Sequence, residues 1–461
     1  MDYLIRLIQI HETFRKPEIE ALAKLANVEF DYIFYSEYSP YCIVRLPSEA
    51  AARALIGRSI LSKGIYELWG SGTTYEELHT DTPRRAQSKW HLYSTASFKF
   101  DFDHYQGKRS STLQHQIILS FSYLGFAGPT LMKGADEQFI IFEDYEWAAP
   151  EPKMIYFGRL IASSDRDAIW DYSLKQRKYI STTSMDSELA LVSANLALAA
   201  PGKLFYDPFV GTGSFPIACS HFGAVTFGSD IDGRSIRGKG KDRNILTSFA
   251  QYGLQGRYLD GYISDLTHSP LRRVEGGWLD GIVCDPPYGV REGLKVLGSR
   301  DGTGKEVVFI DGVAAHLQDK YIPPKRPYSF TAMLDDILAF AAESLIPNGR
   351  LSLWMPTAND DEVPAELAIP MNPSLEVVSV CVQAFNKWSR RLLTYRRLTP
   401  AEEAELPEIH NVPKVPKVPE GGSKVDMTLG TTASELNPFR KKYFQGFRNE
   451  SEEGKEGGVI K

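Results

Sequence analysis

The chain is short of cysteine, of net positive charge and of long apolar runs, and each shortage closes off a class of protein. Its four cysteines, Cys42, Cys219, Cys284 and Cys381, stand far apart and form no Cys-x-x-Cys pair. They read as reduced structural thiols, and no cysteine zinc site can be assembled from them. No apolar run reaches the roughly 20 residues that cross a bilayer. Met1-Asp2-Tyr3-Leu4 has no basic region ahead of it, so a cytoplasmic protein is expected. The formal net charge of −6 does not advertise a nucleic-acid partner. Phosphate contacts need only a local basic surface, which whole-chain charge does not report. At 43% hydrophobic and 24% charged residues the composition is that of a globular protein. The 461 residues exceed what one core covers, so two or three domains are expected.

The first third alternates strands with helices. Tyr3 to His11 reads as a strand, and Pro17 opens a helical stretch from Glu18 to Asn27. Strand-like runs recur at Phe30–Tyr35, Tyr41–Leu46 and Ile65–Trp69, with Ser48 capping a second helix. That order predicts an α+β ferredoxin-like region over residues 1–80. A second unit, 81–161, follows, with a strictly alternating strand at Ser97–Asp103 and a helix at Thr112–Leu124 ending at Gly125. Phe139–Tyr145 and Met154–Arg159 are its further strands. Lys99, Lys108 and Arg109 are candidate RNA contacts, although scattered cations more often form a solvated face. Between residues 162 and 183 the hydrophobic pattern breaks down, which marks a connector.

The second half carries the chemistry. Ser184 is the expected cap of an apolar helix that ends at Pro201-Gly202. A strand at Leu204–Tyr206 runs into Asp207-Pro208-Phe209-Val210-Gly211-Thr212-Gly213-Ser214 and the helix Phe215–Phe222. Gly211 and Gly213 let the backbone approach a ligand without a Cβ in the way. The loop is neither of two familiar nucleotide loops. Pro216 stands where the dinucleotide fingerprint needs its third glycine, and the Gly-Lys-Ser/Thr of a Walker loop is missing. The next strand, Ala224–Phe227, ends in Gly228-Ser229-Asp230-Ile231, an acid placed to grip ribose hydroxyls. A third apolar patch ends at Asp265, placed to meet an adenine amine. A fourth, Gly281–Cys284, ends in Asp285-Pro286-Pro287-Tyr288. Prolines pin φ and donate no N–H, so this turn presents the Asp285 carboxylate and the Pro286 carbonyl as two fixed acceptors. Two acceptors grip the two N–H donors of an exocyclic amine, and Tyr288 offers a flat face for a flipped base. Such a turn is common in loops. Four successive strand ends bearing acids or glycines in one crevice are not.

Together these loops look like an S-adenosyl-L-methionine-dependent methyltransferase that modifies amino groups. The expected fold is a Rossmann-type α/β class I domain over residues 184–398, built on a mainly parallel seven-stranded sheet. The resemblance sharpens with the stretches IYFGR (155–159), TTSM (182–185), DPFVGTGS (207–214), GSDIDGR (228–234), RGKG (237–240), CDPPYGVRE (284–292) and FNKWSRRLLTY (385–395). With ILSKGIYELWGSGTTYEELH at 60–79, they resemble the eukaryotic tRNA guanosine-10 N2-methyltransferase catalytic subunits. The resemblance implies a THUMP RNA-binding module after the ferredoxin-like region, tRNA as partner, and a small zinc-binding activator subunit docked on the methyltransferase domain. It also implies that Thr183, Ser184 and Asp207 to Gly213 face the methionine part, Asp230 and Ile231 the ribose, and Asp265 the adenine. No metal is called for, because the transferred methyl already carries positive charge.

The polar, glycine-rich stretch 293–327 reads as a mobile insert beside the site, with Lys295, Arg300, Lys305, Lys320, Lys325 and Arg326 able to meet phosphates. Met333–Leu345 is an expected helix and Arg350–Met355 a strand. From Asn386 to Arg397 there are five cations and no acid, so Lys387, Arg390 and Arg391 are candidate RNA contacts flanking a closing hairpin. Residues 399–436 read as a linker with Val-Pro-Lys repeats, and Asn437–Arg448 as a basic, aromatic segment that docks or contacts RNA. Two rivals stand beside the main reading. One is an adenine-N6 or DNA amino-methyltransferase with the same kind of turn; the other is an RNA-binding scaffold with a vestigial cofactor pocket. Asp rather than Asn at 285 weighs against the first, and intact Asp207, Asp230 and Asp285 against the second.

Overall fold

Among the described residues, two seven-stranded sheets organise two compact units, Met1–Asp171 and Tyr172–Lys461. The computed structural model describes residues 1–290, 293–297, 309–318, 325–358, 369–385, 388–406 and 437–445. No helix among them is long and apolar enough to cross a membrane.

The first unit begins β1 (Asp2–Leu7), α1 (Glu12–Ala26), β2 (Asp31–Phe34), β3 (Tyr41–Arg45), α2 (Glu49–Ile56), β4 (Ser62–Gly72). The strands pair in the antiparallel order β2-β3-β1-β4, as the ferredoxin-like reading requires. Ile5, Leu22, Val44, Leu55 and Ile65 form its core. The first helix starts earlier than expected, and Pro17 lies inside it rather than at its start. His11 takes a left-handed conformation (φ 55) at the cap, while buried Phe14, Ile19 and Leu22 anchor the turns on either side of the proline. Tertiary burial therefore outweighs the lost bond.

The chain continues through α3 (Tyr75–Ala86), β5 (Phe98–Tyr105), α4 (Ser111–Ser120), β6 (Glu137–Asp144), β7 (Met154–Ser163) and the short α5 (Ala168–Asp171). The expected helix over 112–124 divides: α4 stops at Ser120 and a tighter turn over Phe121–Leu124 leads to Gly125 at φ 68. β4 is longer than its apolar run suggests because it has two partners, β1 on one side and β7 on the other. The sheet runs on through β7, β6 and β5, of which only β5 and β6 are parallel. Trp69, Leu78, Phe121, Phe139 and Phe157 pack over this half.

The second unit opens with α6 (Ser187–Leu196), β8 (Leu204–Asp207), α7 (Ser214–His221), β9 (Val225–Asp230), α8 (Gly233–Arg237), α9 (Ile245–Gln251), β10 (Tyr258–Ile263) and β11 (Leu279–Cys284). Four short strands follow: β12 (Lys295–Leu297), β13 (Phe309–Ile310), β14 (Val313–Ala314) and β15 (Lys325–Pro327). Then come α10 (Phe330–Ser344), β16 (Leu345–Ala358), β17 (Leu375–Ala384), β18 (Trp388–Arg397), α11 (Pro400–Glu405) and α12 (Pro438–Gln445). Sheet order is β10-β9-β8-β11-β16-β18-β17; the first five are parallel and β18 is antiparallel to both neighbours. This is the class I methyltransferase arrangement, with the hairpin expected over 386–397 supplied by β17 and β18. The chain direction of strand addition reverses between β8 and β11. Open α/β sheets bind ligands at such a switch point, beyond the strands' carboxyl ends.

Candidate active site

Four strand ends meet at that crevice. Asp207, at the end of β8, is buried, and its Oδ1 accepts the N–H of Phe209 at 2.9 Å. Asp230, at the end of β9, accepts the N–H of Gly211 on one oxygen (3.0 Å) and of Asp232 on the other (2.8 Å). It thereby ties β9 to the glycine loop, whose Gly211 and Gly213 have φ of 50 and 83. Ser184 does not cap α6, a role taken by Asp186, whose side chain accepts the Leu189 N–H at 3.0 Å. Ser184 instead shares a 2.7 Å hydrogen bond with the Thr212 hydroxyl, beside the exposed Thr183. Pro208 is buried behind the loop, and Phe209 and Ile231 are half-buried.

Gly228 in β9 has no room for a side chain. A Cβ there would lie 2.6 Å from Val210 Cγ2 and 2.9 Å from the Asp207 carbonyl oxygen. Gly228→Ala is expected to cost about 1–3 kcal/mol by overpacking. It also pushes on the loop that carries Asp207, so thermal unfolding and cofactor titration should worsen together.

β11 delivers Asp285 into the crevice. Pro286 is buried, Pro287 exposed and Tyr288 half-buried. Asp285 Oδ1 and the Tyr288 hydroxyl are both sealed from solvent, and no well-aligned hydrogen bond from the described residues reaches either, although the two side chains stand close together. Burial pushes the Asp285 carboxyl up to about 6, with the Tyr288 hydroxyl and the Arg390 charge lowering it in part. Burial likewise raises Asp207, and the charges of Asp230 and Asp285 raise it further. Burial raises Asp230 too, against the two backbone N–H groups that bind it. None of the three carboxylates is held in an ion pair among the described residues. One buried and two half-buried carboxylates gathered in this way fit a cationic ligand with hydrogen-bonding hydroxyls and amines.

Family comparisons decide what that ligand is. Residues 1–166 match the Tmrp11 THUMP N-terminal domain, and residues 175–297 the RMKL-like methyltransferase domain. The tRNA (guanine(10)-N(2))-methyltransferase of Saccharomyces cerevisiae is 46% identical over 404 residues, covering 85% of this chain and 92% of that protein. The Schizosaccharomyces pombe enzyme of the same name is 38% identical, covering 87% and 91% of the two chains. Human tRNA (guanine(10)-N(2))-methyltransferase TRMT11 is 35% identical, covering 87% and 89%. The chain belongs to the tRNA (guanine(10)-N(2))-methyltransferase family. It is a methyltransferase, and S-adenosylmethionine, a sulfonium with an ammonium and a ribose, is the cationic ligand that the acidic crevice fits.

Two features of the crevice were hidden from sequence. Asp265 is engaged locally: Oδ1 accepts the backbone N–H and the hydroxyl of Thr267 at 2.6 Å each, and Oδ2 accepts the Leu297 N–H at 2.8 Å. The second is the return of the chain's end. Asn437 Nδ2 donates to the Tyr288 carbonyl at 2.9 Å, and Arg440 Nη1 to that of Gly289 at 2.7 Å. The only signal for this contact in the sequence is the aromatic, basic cluster Asn437–Tyr443 after a proline-rich stretch.

The predicted cations of this family member fall in unlike places. Lys108 is exposed. Lys99 is paired with Asp101 at 2.5 Å. Arg109 has an 11% exposed side chain and binds the buried Glu143 at 2.5 Å and Glu151 at 2.7 Å, so its guanidinium is engaged within the fold. Arg390 lies over the Trp354 ring, 4.8 Å from its centroid, and bonds Gln383, while Arg391 is buried. Lys295, Lys325 and Arg326 are exposed. Lys387, Arg300, Lys305 and Lys320 lie outside the described residues, as do residues 298–308 and 319–324 of the insert and the whole of 407–436.

Proposed function

We propose that the protein methylates the exocyclic N2 of guanosine 10 in tRNA, acting in the cytoplasm as the catalytic subunit of a heterodimer with a small zinc-binding activator. The observation that carries the reading is the sealed Asp285 Oδ1 at the end of β11, to which no well-aligned donor points among the described residues, next to a Pro286 carbonyl that no proline N–H competes for. The relatives' shared name supplies the base and its position.

In this reading Asp207 to Gly213, with Thr183 and Ser184 beside them, hold the methionine end of the cofactor. Asp230 and Ile231 face the ribose, and Asp265 exchanges its bond to Leu297 for one to the adenine. When bound, the cofactor supplies a methyl group on a positively charged sulphur. Asp285 and the Pro286 carbonyl accept the two amine N–H groups, which favours a pyramidal nitrogen and stabilises the positive charge that grows on it. Asp285 then takes the proton. Tyr288 gives the guanine a stacking face, backed edge-on by Trp388 at 6.3 Å. Of the predicted RNA contacts among the described residues, Lys108 is the one with an exposed side chain free to reach phosphate.

The Asp285 acid limb gives a pH test. A carboxyl raised to about 6 is ionised, and so able to accept from the amine, only above that value. Single-turnover transfer is expected to rise with pH through about 6 and then level, and a midpoint near 4 argues that Asp285 is not the group titrating.

For the activator, support comes from β10. It is the edge of the sheet, and Leu259 (63% exposed) and Ile263 (51%) stand bare along it. An apolar edge strand is a template for a partner's strand. The deciding experiment is mass spectrometry of tRNA nucleosides after incubation with labelled methyl donor, with activator present. N2-methylguanosine is expected; labelled N6-methyladenosine, or no label, overturns the reading.

A further inference from the structure

The described chain leaves α11 at Leu406 and reappears at Asn437, against the turn that β11 delivers. Asn437 is only 2% exposed and uses both ends of its amide. Oδ1 accepts the Arg440 N–H at 3.1 Å, which caps α12, while Nδ2 donates to the Tyr288 carbonyl at 2.9 Å. Arg440 Nη1 donates to the Gly289 carbonyl at 2.7 Å and also to that of Val290. Gly289 has φ 69, and a Cβ on it would lie 2.7 Å from Asn437 Nδ2, so the contact requires glycine there. Phe439 is buried edge-on against Trp388 at 5.7 Å, and Trp388 is the ring that backs Tyr288.

Three consecutive carbonyls just beyond the two prolines are thus gripped by one distant segment. The prolines fix φ on the upstream side but supply no donor, so downstream the turn depends on bonds brought from elsewhere. We infer that Asn437–Gln445 is a strap that holds the Asp285–Tyr288 turn in its transfer geometry, with Asn437 and Arg440 as positioning residues. This rests on the proposed role of the turn. The Arg440 guanidinium serves here to bind main-chain carbonyls.

The test uses the full chain with its activator. Asn437→Asp keeps the capping acceptor but sets a charged oxygen in place of the donor to Tyr288, whereas Asn437→Ala removes acceptor and donor without adding charge. Both are expected to lower kcat about tenfold, the scale of one lost hydrogen bond, with KM for tRNA and calorimetric cofactor affinity within about twofold. Hydrogen exchange across residues 284–290 should quicken, and the acid limb of kcat should move below about 6 as Asp285 becomes wetter. Arg440→Lys, which keeps one cationic donor, should recover part of what Arg440→Ala loses. If Asn437→Asp behaves as the parent, the residue is only a helix cap and the strap is overturned. A raised KM for tRNA at unchanged kcat overturns it in favour of RNA contact. Should the parent make no N2-methylguanosine, the proposed reaction fails, while the exchange measurement still decides the strap.

Discussion

Asp285→Ala is expected to lower single-turnover methyl transfer by about a thousandfold while cofactor affinity stays within a few-fold. Preorganised groups aimed at charge developing in the transition state are worth about 10²–10³ each, and Asp285 both accepts an amine N–H and takes its proton. The alanine leaves Asp207, Asp230 and the glycine loop in place, so binding measured by calorimetry should survive. Turnover near the parent's sinks the assigned role. Asp285→Asn keeps an acceptor without the charge or the base, and should lose less, about 10–100-fold. Stability should move the other way. The folded carboxyl sits at about 6 against an ordinary 3.8, so its contribution is intact below pH 4 and is lost as pH rises through 6. Above pH 7 the buried carboxylate costs the fold about 3 kcal/mol. The asparagine variant should therefore be more stable than the parent at pH 8 and indistinguishable from it at pH 4.

Glu143→Ala is expected to destabilise the first unit by about 3–5 kcal/mol, the range for removing one member of a buried ion pair. Glu143 is fully buried, and four groups converge on it: Arg109 Nε at 2.5 Å, the Tyr75 hydroxyl at 2.7 Å, His104 Nδ1 at 2.8 Å and the Tyr145 hydroxyl at 3.0 Å. Burial alone would push its carboxyl up, yet His104, Arg109 and Tyr75 hold it down at about 2. Truncation leaves the Arg109 guanidinium, 11% exposed, with the surface residue Glu151 as its one acid partner among the described residues. A group held low contributes stability that is present above its ordinary 4.5 and lost as pH falls from there to about 2. Denaturant titration of the full chain, following exchange of first-unit amides, should show an early transition for the variant at pH 7. The gap to the parent should narrow below pH 4. A shift under 1 kcal/mol would mean the network is solvated.

Much of the crevice was legible because parallel strands buried on both faces read as apolar runs, and the residue after each run marks a strand end. Asp207 and Asp285 follow such runs directly, and Asp230 after two further residues. What failed to show was the partner of each polar group. Ser184 reads as the cap in sequence, but the Thr212 hydroxyl, brought by another loop, pairs with it and Asp186 caps the helix. Asp265 looked available for a ligand, yet Thr267 two residues on and Leu297 in the insert engage it. Arg109 looked like a surface cation because Glu143, its partner, comes from another strand. Asn437 lies 149 residues from the carbonyl it holds, and no local pattern encodes a separation of that kind.

β4 gives the first unit a mechanical property. Because Ser62–Gly72 is hydrogen-bonded to β1 along one edge and to β7 along the other, the β2-β3-β1 side of the sheet and the β7-β6-β5 side are joined by one continuous strand. A strand common to both transmits unfolding from one to the other, so the two should melt as one foldon rather than in sequence. The same continuity fixes the spacing between the β5–β6 end of the sheet and its β2–β3 end.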